Sequence, residues 1–145
     1  MASMDISLTT FRMFVHILAA TVWVGGQLVM MGLVPVARTL GPDAPRQLAK
    51  RFGMVSWPAF LILTFTGIWN ALSIDFNDAP TSYKTKFGLK MTCYLITGIG
   101  AALHSLGPSI GQTKPKLRVP LLAIGGAASG LGAIGVLFFA VALKY

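Results

Sequence analysis

Four stretches of the chain, at 13–37, 52–74, 91–113 and 119–143, hold no charged side chain over 23 or more consecutive positions. An α-helix rises 1.5 Å per residue, so about 20 apolar residues cross the roughly 30 Å hydrocarbon layer of a bilayer. Four such spans and their turns take up nearly all of the 145 residues. The longer connections, at 38–51 and 75–90, are too short to bury a core of their own. The expected fold is all-α: an integral membrane four-helix transmembrane bundle, one domain over 1–145 with helices at about 11–37, 52–74, 87–110 and 119–143. With 11% charged residues and 54% hydrophobic ones, the chain sits far from the roughly 25% charged of soluble domains. The first span is longer than the roughly 7–15 apolar residues of a signal peptide and lacks a small-x-small cleavage site before Arg38, so it reads as a retained helix.

Cations set the orientation. Arg38, Arg46, Lys50, Arg51, Lys114, Lys116 and Arg118 fall at one end of the spans, seven in all. Arg12, Lys84, Lys86, Lys90 and Lys144, five in all, fall at the other with Asp5, Asp75 and Asp78. The basic excess marks the inner side. The expectation is a multi-pass protein of the plasma (inner) membrane with both termini on the outer side. A net charge of +8 in a soluble domain would suggest nucleic acid; here the cations lie at helix ends, where the lipid bilayer offers anionic headgroups and no nucleic acid is implied.

Prolines 42 and 45, the run Asp78-Ala79-Pro80, and Pro115 with Pro120 mark the turns. The last span is rich in small residues, including Gly126-x-x-x-Gly130 and Gly125-x-x-x-Ser129, a spacing that lets a second backbone approach closely. That surface serves either packing within the chain or docking, as a homodimer or in a larger membrane complex.

Polar side chains in a span normally face the protein interior. On the first helix His16, Ala20, Trp23, Gln27 and Met30 recur every three or four residues and share one face. Lys90, Tyr94, Thr97, Ala101 and His104 do the same on the third, and the second offers Thr64, Trp69 and Asn70. His16 and Lys90 lie within about 6 Å of each other in depth, and Trp69 and Asn70 join that layer. His104 lies roughly 15 Å deeper than His16, so the two histidines do not ligate one haem or one metal ion within a chain. A second, inner layer would combine His104 with Trp57, Arg51 and Met30. An imidazole placed like His16 hydrogen-bonds a neighbouring helix, moves protons, or ligates haem iron or copper. Met13, Met91 and Cys93 lie near the same end and would suit copper(I). Cys93 is the only cysteine, which excludes an intrachain disulfide.

The segment Phe11-Arg12-Met13-Phe14-Val15-His16, with Trp23-Val24-Gly25-Gly26 after it, resembles the opening of the copper resistance protein D (CopD) family, whose first helix pairs a histidine with a later Trp-x-Gly-Gly. Arg51-Phe52, Thr66-Gly67, and Thr81-Ser82-Tyr83 leading to Lys86-Phe87-Gly88-Leu89-Lys90 are similar to later parts of that family's pattern. The likeness covers about 11–110. It implies copper uptake or resistance, or, by way of the related HemJ-type four-helix proteins, haem b binding and protoporphyrinogen oxidation, with His16 and Lys90 at the matching positions. Two features depart from those families: this chain has four spans where many CopD proteins carry more, and no carboxylate is embedded in them.

The expectation is a CopD-like protein holding a redox metal centre near its outer face, with haem b ahead of copper and His16 the metal ligand. Lys90 would be a second ligand or a cation paired with a haem propionate. Trp23, Trp69 and Tyr94 would pack on the macrocycle, with Gly25 and Gly26 making room for it. The alternatives are a copper uptake or resistance protein, a HemJ-type protoporphyrinogen oxidase, and an accessory subunit of a membrane respiratory or transport complex without chemistry of its own.

Overall fold

A computed structural model describes residues 7–144; Asp5 and the outermost ends of the chain, whose sidedness is expected above, lie outside them. The described residues are helical throughout, apart from short turns. Helix α1 is Leu8–Ala20, a single π-helical turn spans Thr21–Gly25, and α2 is Gly26–Thr39; then follow α3, Ala44–Leu72, α4, Thr81–Thr113, and α5, Pro115–Ala142. The first three pieces form one continuous rod.

Three of the four rods are long and apolar enough to cross a membrane: Leu8–Thr39, Ala44–Leu72 and Pro115–Ala142. Helix α4 has the length, 33 residues, but not the apolar density. Lys84, Lys86 and Lys90 occupy its first three turns, and His104, Ser105, Ser109 and Gln112 its last. A charge-free run, used as the sequence criterion, overstates the apolar character of such a polar segment.

The helices also reach further than the charge-free runs. Helix α3 begins at Ala44 with Pro45 in its first turn, so most of the segment at 38–51, expected as a loop, is helix. Proline is compatible with a first helical turn, and the Arg, Gln, Leu and Lys that follow are good helix formers. The actual turn is 40–43, where Gly41 takes φ +140°, a backbone conformation that side chains with a Cβ avoid. Helix α4 likewise starts at Thr81 directly after Pro80, and α5 at Pro115. At its far end α1 is capped by Ser7, whose hydroxyl accepts the Thr10 N–H at 3.1 Å.

Internal contacts divide the chain into two compact units, Met1–Asp75 and Phe76–Tyr145. In the first, Arg12 meets Ser73, His16 meets Thr66, Trp23 meets Phe60 and Gly26 meets Phe52. As one residue number rises the other falls, so the α1–α2 rod and α3 run antiparallel. Trp23 and Val24 are neighbours in sequence and both buried, because the π turn carries one extra residue past the helical phase. The Trp23 ring lies 4.4 Å from Phe60 and 5.9 Å from Trp57, centroid to centroid, and these aromatics form the unit's core.

In the second unit α4 and α5 also run antiparallel, and small residues bring the backbones together. A Cβ added to Gly132 would lie 2.7 Å from the Thr97 nitrogen, and one added to Gly100 would lie 2.6 Å from the Ser129 nitrogen. Neither position admits any side chain. The close approach lets Thr97, fully buried, donate to the Ser129 carbonyl at 2.8 Å. Lys86 donates to the Ala142 carbonyl at 2.8 Å, satisfying one of the acceptors that a helix end leaves open. The small residues of the last span are thus used within the chain, against α4.

Gly132→Ala and Gly100→Ala are expected to destabilise the protein by about 1–3 kcal/mol, the range for overpacking a close contact. Gly25→Ala, where a Cβ would meet nothing within 4 Å, should leave the melting temperature in detergent unchanged.

Candidate metal centre

His16 lies half-buried on α1 with Nδ1 2.8 Å from the Thr66 hydroxyl of α3. Thr66 is buried, and its hydroxyl also lies 2.7 Å from the Ile62 carbonyl one turn earlier. A carbonyl only accepts, and a hydroxyl has one proton to give. Both bonds form only if Thr66 donates to Ile62 and accepts from His16. Nδ1 is therefore a protonated nitrogen, and in the neutral ring the other nitrogen, Nε2, is the one that can ligate. This is the arrangement by which a partner at one ring nitrogen sets the other as a metal ligand. Gly67 is next to Thr66, and a Cβ there would sit 3.4 Å from the His16 Cε1; the ring packs against the bare backbone of α3.

The remaining expected residues divide between the two units. Trp23 is only 3% exposed, and Phe60 and Trp57 pack against its ring. Trp69 is partly exposed, with the Arg12 guanidinium 5.4 Å from its ring centroid and Phe65 at 6.3 Å. Gly25 faces open space, whereas a Cβ on Gly26 would come 2.6 Å from the Phe52 ring, so the bare backbone at Gly26 admits Phe52. Lys90 and Tyr94 are half-buried on α4, in the second unit. Met13 is exposed. A Cβ on Gly135 would come 2.7 Å from the Cys93 sulfur, so that thiol packs onto α5. His104 donates Nδ1–H to the Leu122 carbonyl of α5 at 2.8 Å, with Gly126 beside its ring.

Two participants escaped the sequence reading. Thr66 was visible only as half of a threonine-glycine pair, and its place opposite His16 depends on the antiparallel register. Arg12, four residues before His16, was counted among the boundary cations; the i, i+4 spacing was the signal that it shares the face of His16. It donates from Nη1 to the Ser73 hydroxyl at 2.8 Å.

Among the described residues no three His, Cys, Asp or Glu side chains converge to hold a metal ion. An ion bound by protein alone needs about four donors. A porphyrin supplies four itself and asks the protein for one or two axial ligands. A single imidazole of fixed tautomer fits the second demand better than the first.

No family model matches the chain, nor does any curated protein or solved structure.

Thr66→Val removes the acceptor for Nδ1–H and should cost about 1–3 kcal/mol, as expected for a buried donor left unpaired. Nitrogen NMR of labelled protein should show one tautomer of His16 in the parent and in Thr66→Ser, and a mixture in Thr66→Val.

Proposed function

We propose that this chain is a CopD-like membrane protein, all four rods spanning the bilayer, that binds haem b through His16. The observation that carries this reading is the relay from His16 Nδ1–H to the Thr66 hydroxyl and on to the Ile62 carbonyl. It commits Nδ1–H to the helix contact, so that a neutral ring would ligate through Nε2. A histidine serving only as a strut would be held as well by either nitrogen. The two satisfied bonds select the tautomer that ligates through Nε2, and the outer partner raises its basicity.

His16 would hold the iron, and Thr66 would orient the ring. Lys90, in the second unit, is included through the sequence pattern alone, as an ammonium for a propionate, a role that needs no loss of its proton. When bound, the haem supplies one-electron redox chemistry at a potential set by its axial ligand and surroundings. The protein's own part is to bind, orient and exclude water. Bare copper is the weaker reading, because Met13 is exposed and Cys93 packs onto α5, so neither supplements His16 with the soft donors that copper(I) prefers.

Protein purified in detergent from haem-replete cells should show a Soret band. His16→Ala should abolish it, and Thr66→Val should weaken haem affinity about 10- to 100-fold, the usual effect of losing an outer partner of a metal ligand. A colourless preparation with stoichiometric copper would replace the haem reading with copper uptake or resistance.

A further inference from the structure

We propose that the first unit carries a site for one anionic phospholipid, headgroup on Arg12 and one acyl chain along the groove between α1 and α3. This rests on the membrane part of the functional reading and not on the metal centre. The groove encloses about 500 Å³, with Arg12, Val15, Leu61, Ile62, Phe65 and Trp69 among its lining. It runs beside His16: Arg12 lies one turn before His16, and Thr66, which bonds the His16 ring, is part of the lining.

Charge identifies the headgroup. Among the described residues Arg12 is the sole ionised side chain of the groove. Its Nη1 is committed to Ser73 and its plane lies over Trp69, which fixes the guanidinium in place. Its Nε–H is buried and has no acceptor among the described residues, and no carboxylate there pairs with it. A half-buried cation at the end of a membrane helix, with no carboxylate paired to it among the described residues, is complementary to the charge of a phosphodiester.

Length identifies the tail. With His16 opposite Thr66, the antiparallel register puts Leu61 about nine residues of rise below Arg12, roughly 14 Å. That is close to half of the roughly 30 Å hydrocarbon layer, one leaflet's share. Below Arg12 the walls are apolar except for the Thr66 hydroxyl, which is already bonded. Phe65 and Leu61 are 68% and 65% exposed, open to a chain lying beside them.

The test uses the full chain, delipidated in detergent, with native mass spectrometry against phosphatidylglycerol, phosphatidylcholine of the same chains, and inorganic phosphate. The expected result is one retained phosphatidylglycerol, not displaced by phosphate. Arg12→Gln should weaken it about 10- to 100-fold, the worth of one charge-assisted hydrogen bond. Arg12→Lys, which keeps the charge at that position, should retain the lipid better than Arg12→Gln. Equal retention of phosphatidylcholine, displacement by phosphate alone, or loss of lipid in Arg12→Lys as in Arg12→Gln would each overturn the proposal. His16→Ala should keep the lipid while losing any Soret band, so failure of the metal centre is distinguishable from failure of the lipid site. A chain that purifies without detergent would overturn the membrane reading and the lipid site together.

Discussion

Every backbone N–H and C=O placed in hydrocarbon has to be satisfied within its own segment, since lipid offers no partner. That requirement suits the three helices long and apolar enough to cross a membrane, which continue through internal prolines at 35, 58 and 120. It also removes the usual reason for helices to associate, because the lipid tails are as apolar as the side chains they would displace. Association therefore has to come from close van der Waals contact and from polar side chains bonded between helices. The two units of this chain solve the problem in different ways.

The second unit relies on proximity. Gly100, Gly125 and Gly132 leave so little space that a methyl group would collide with backbone atoms of the opposing helix, and Thr97 adds a buried hydrogen bond across the seam. A seam of this kind has little freedom to rearrange around a ligand. The first unit relies on side chains: three aromatics at its centre, the His16 to Thr66 bond on one side of them and Arg12 to Ser73 further along. These contacts leave polar atoms such as the Arg12 Nε and the Asn70 Oδ1 buried but unbonded among the described residues.

The helices themselves were legible in the sequence because a charge-free run long enough to cross a bilayer satisfies its own backbone there only by coiling into a helix. Their ends were less so: the charge-free runs stop at Arg51 and Lys90, yet both residues lie inside helices. A charge ends an apolar run without ending a helix, because Arg and Lys are good helix formers. The inward stripe of α1 was also legible, since His16 and Trp23 both face α3. What spacing could not supply was the partner of each, which depends on the antiparallel register. Thr66 belongs to a threonine-glycine pair that reads as local helix packing until His16 is placed opposite it. The equation of small-residue spacing with docking was ambiguous for a similar reason: the same spacing serves an internal seam.

The bond from Thr66 to Ile62 gives the His16 contact its direction. Without it, the threonine could either donate to or accept from the imidazole, and the contact would say nothing about which nitrogen keeps the lone pair. Because the hydroxyl proton is drawn to a carbonyl of its own helix, the polarity of α3 passes to the ring on α1. Helical Thr commonly back-bonds in this way, so the device needs only a threonine in the right register. A buried serine or threonine opposite an imidazole is in this sense an orienting group, and it gives a single histidine a defined chemical face in a site where, among the described residues, no cluster of ligands is present to impose one.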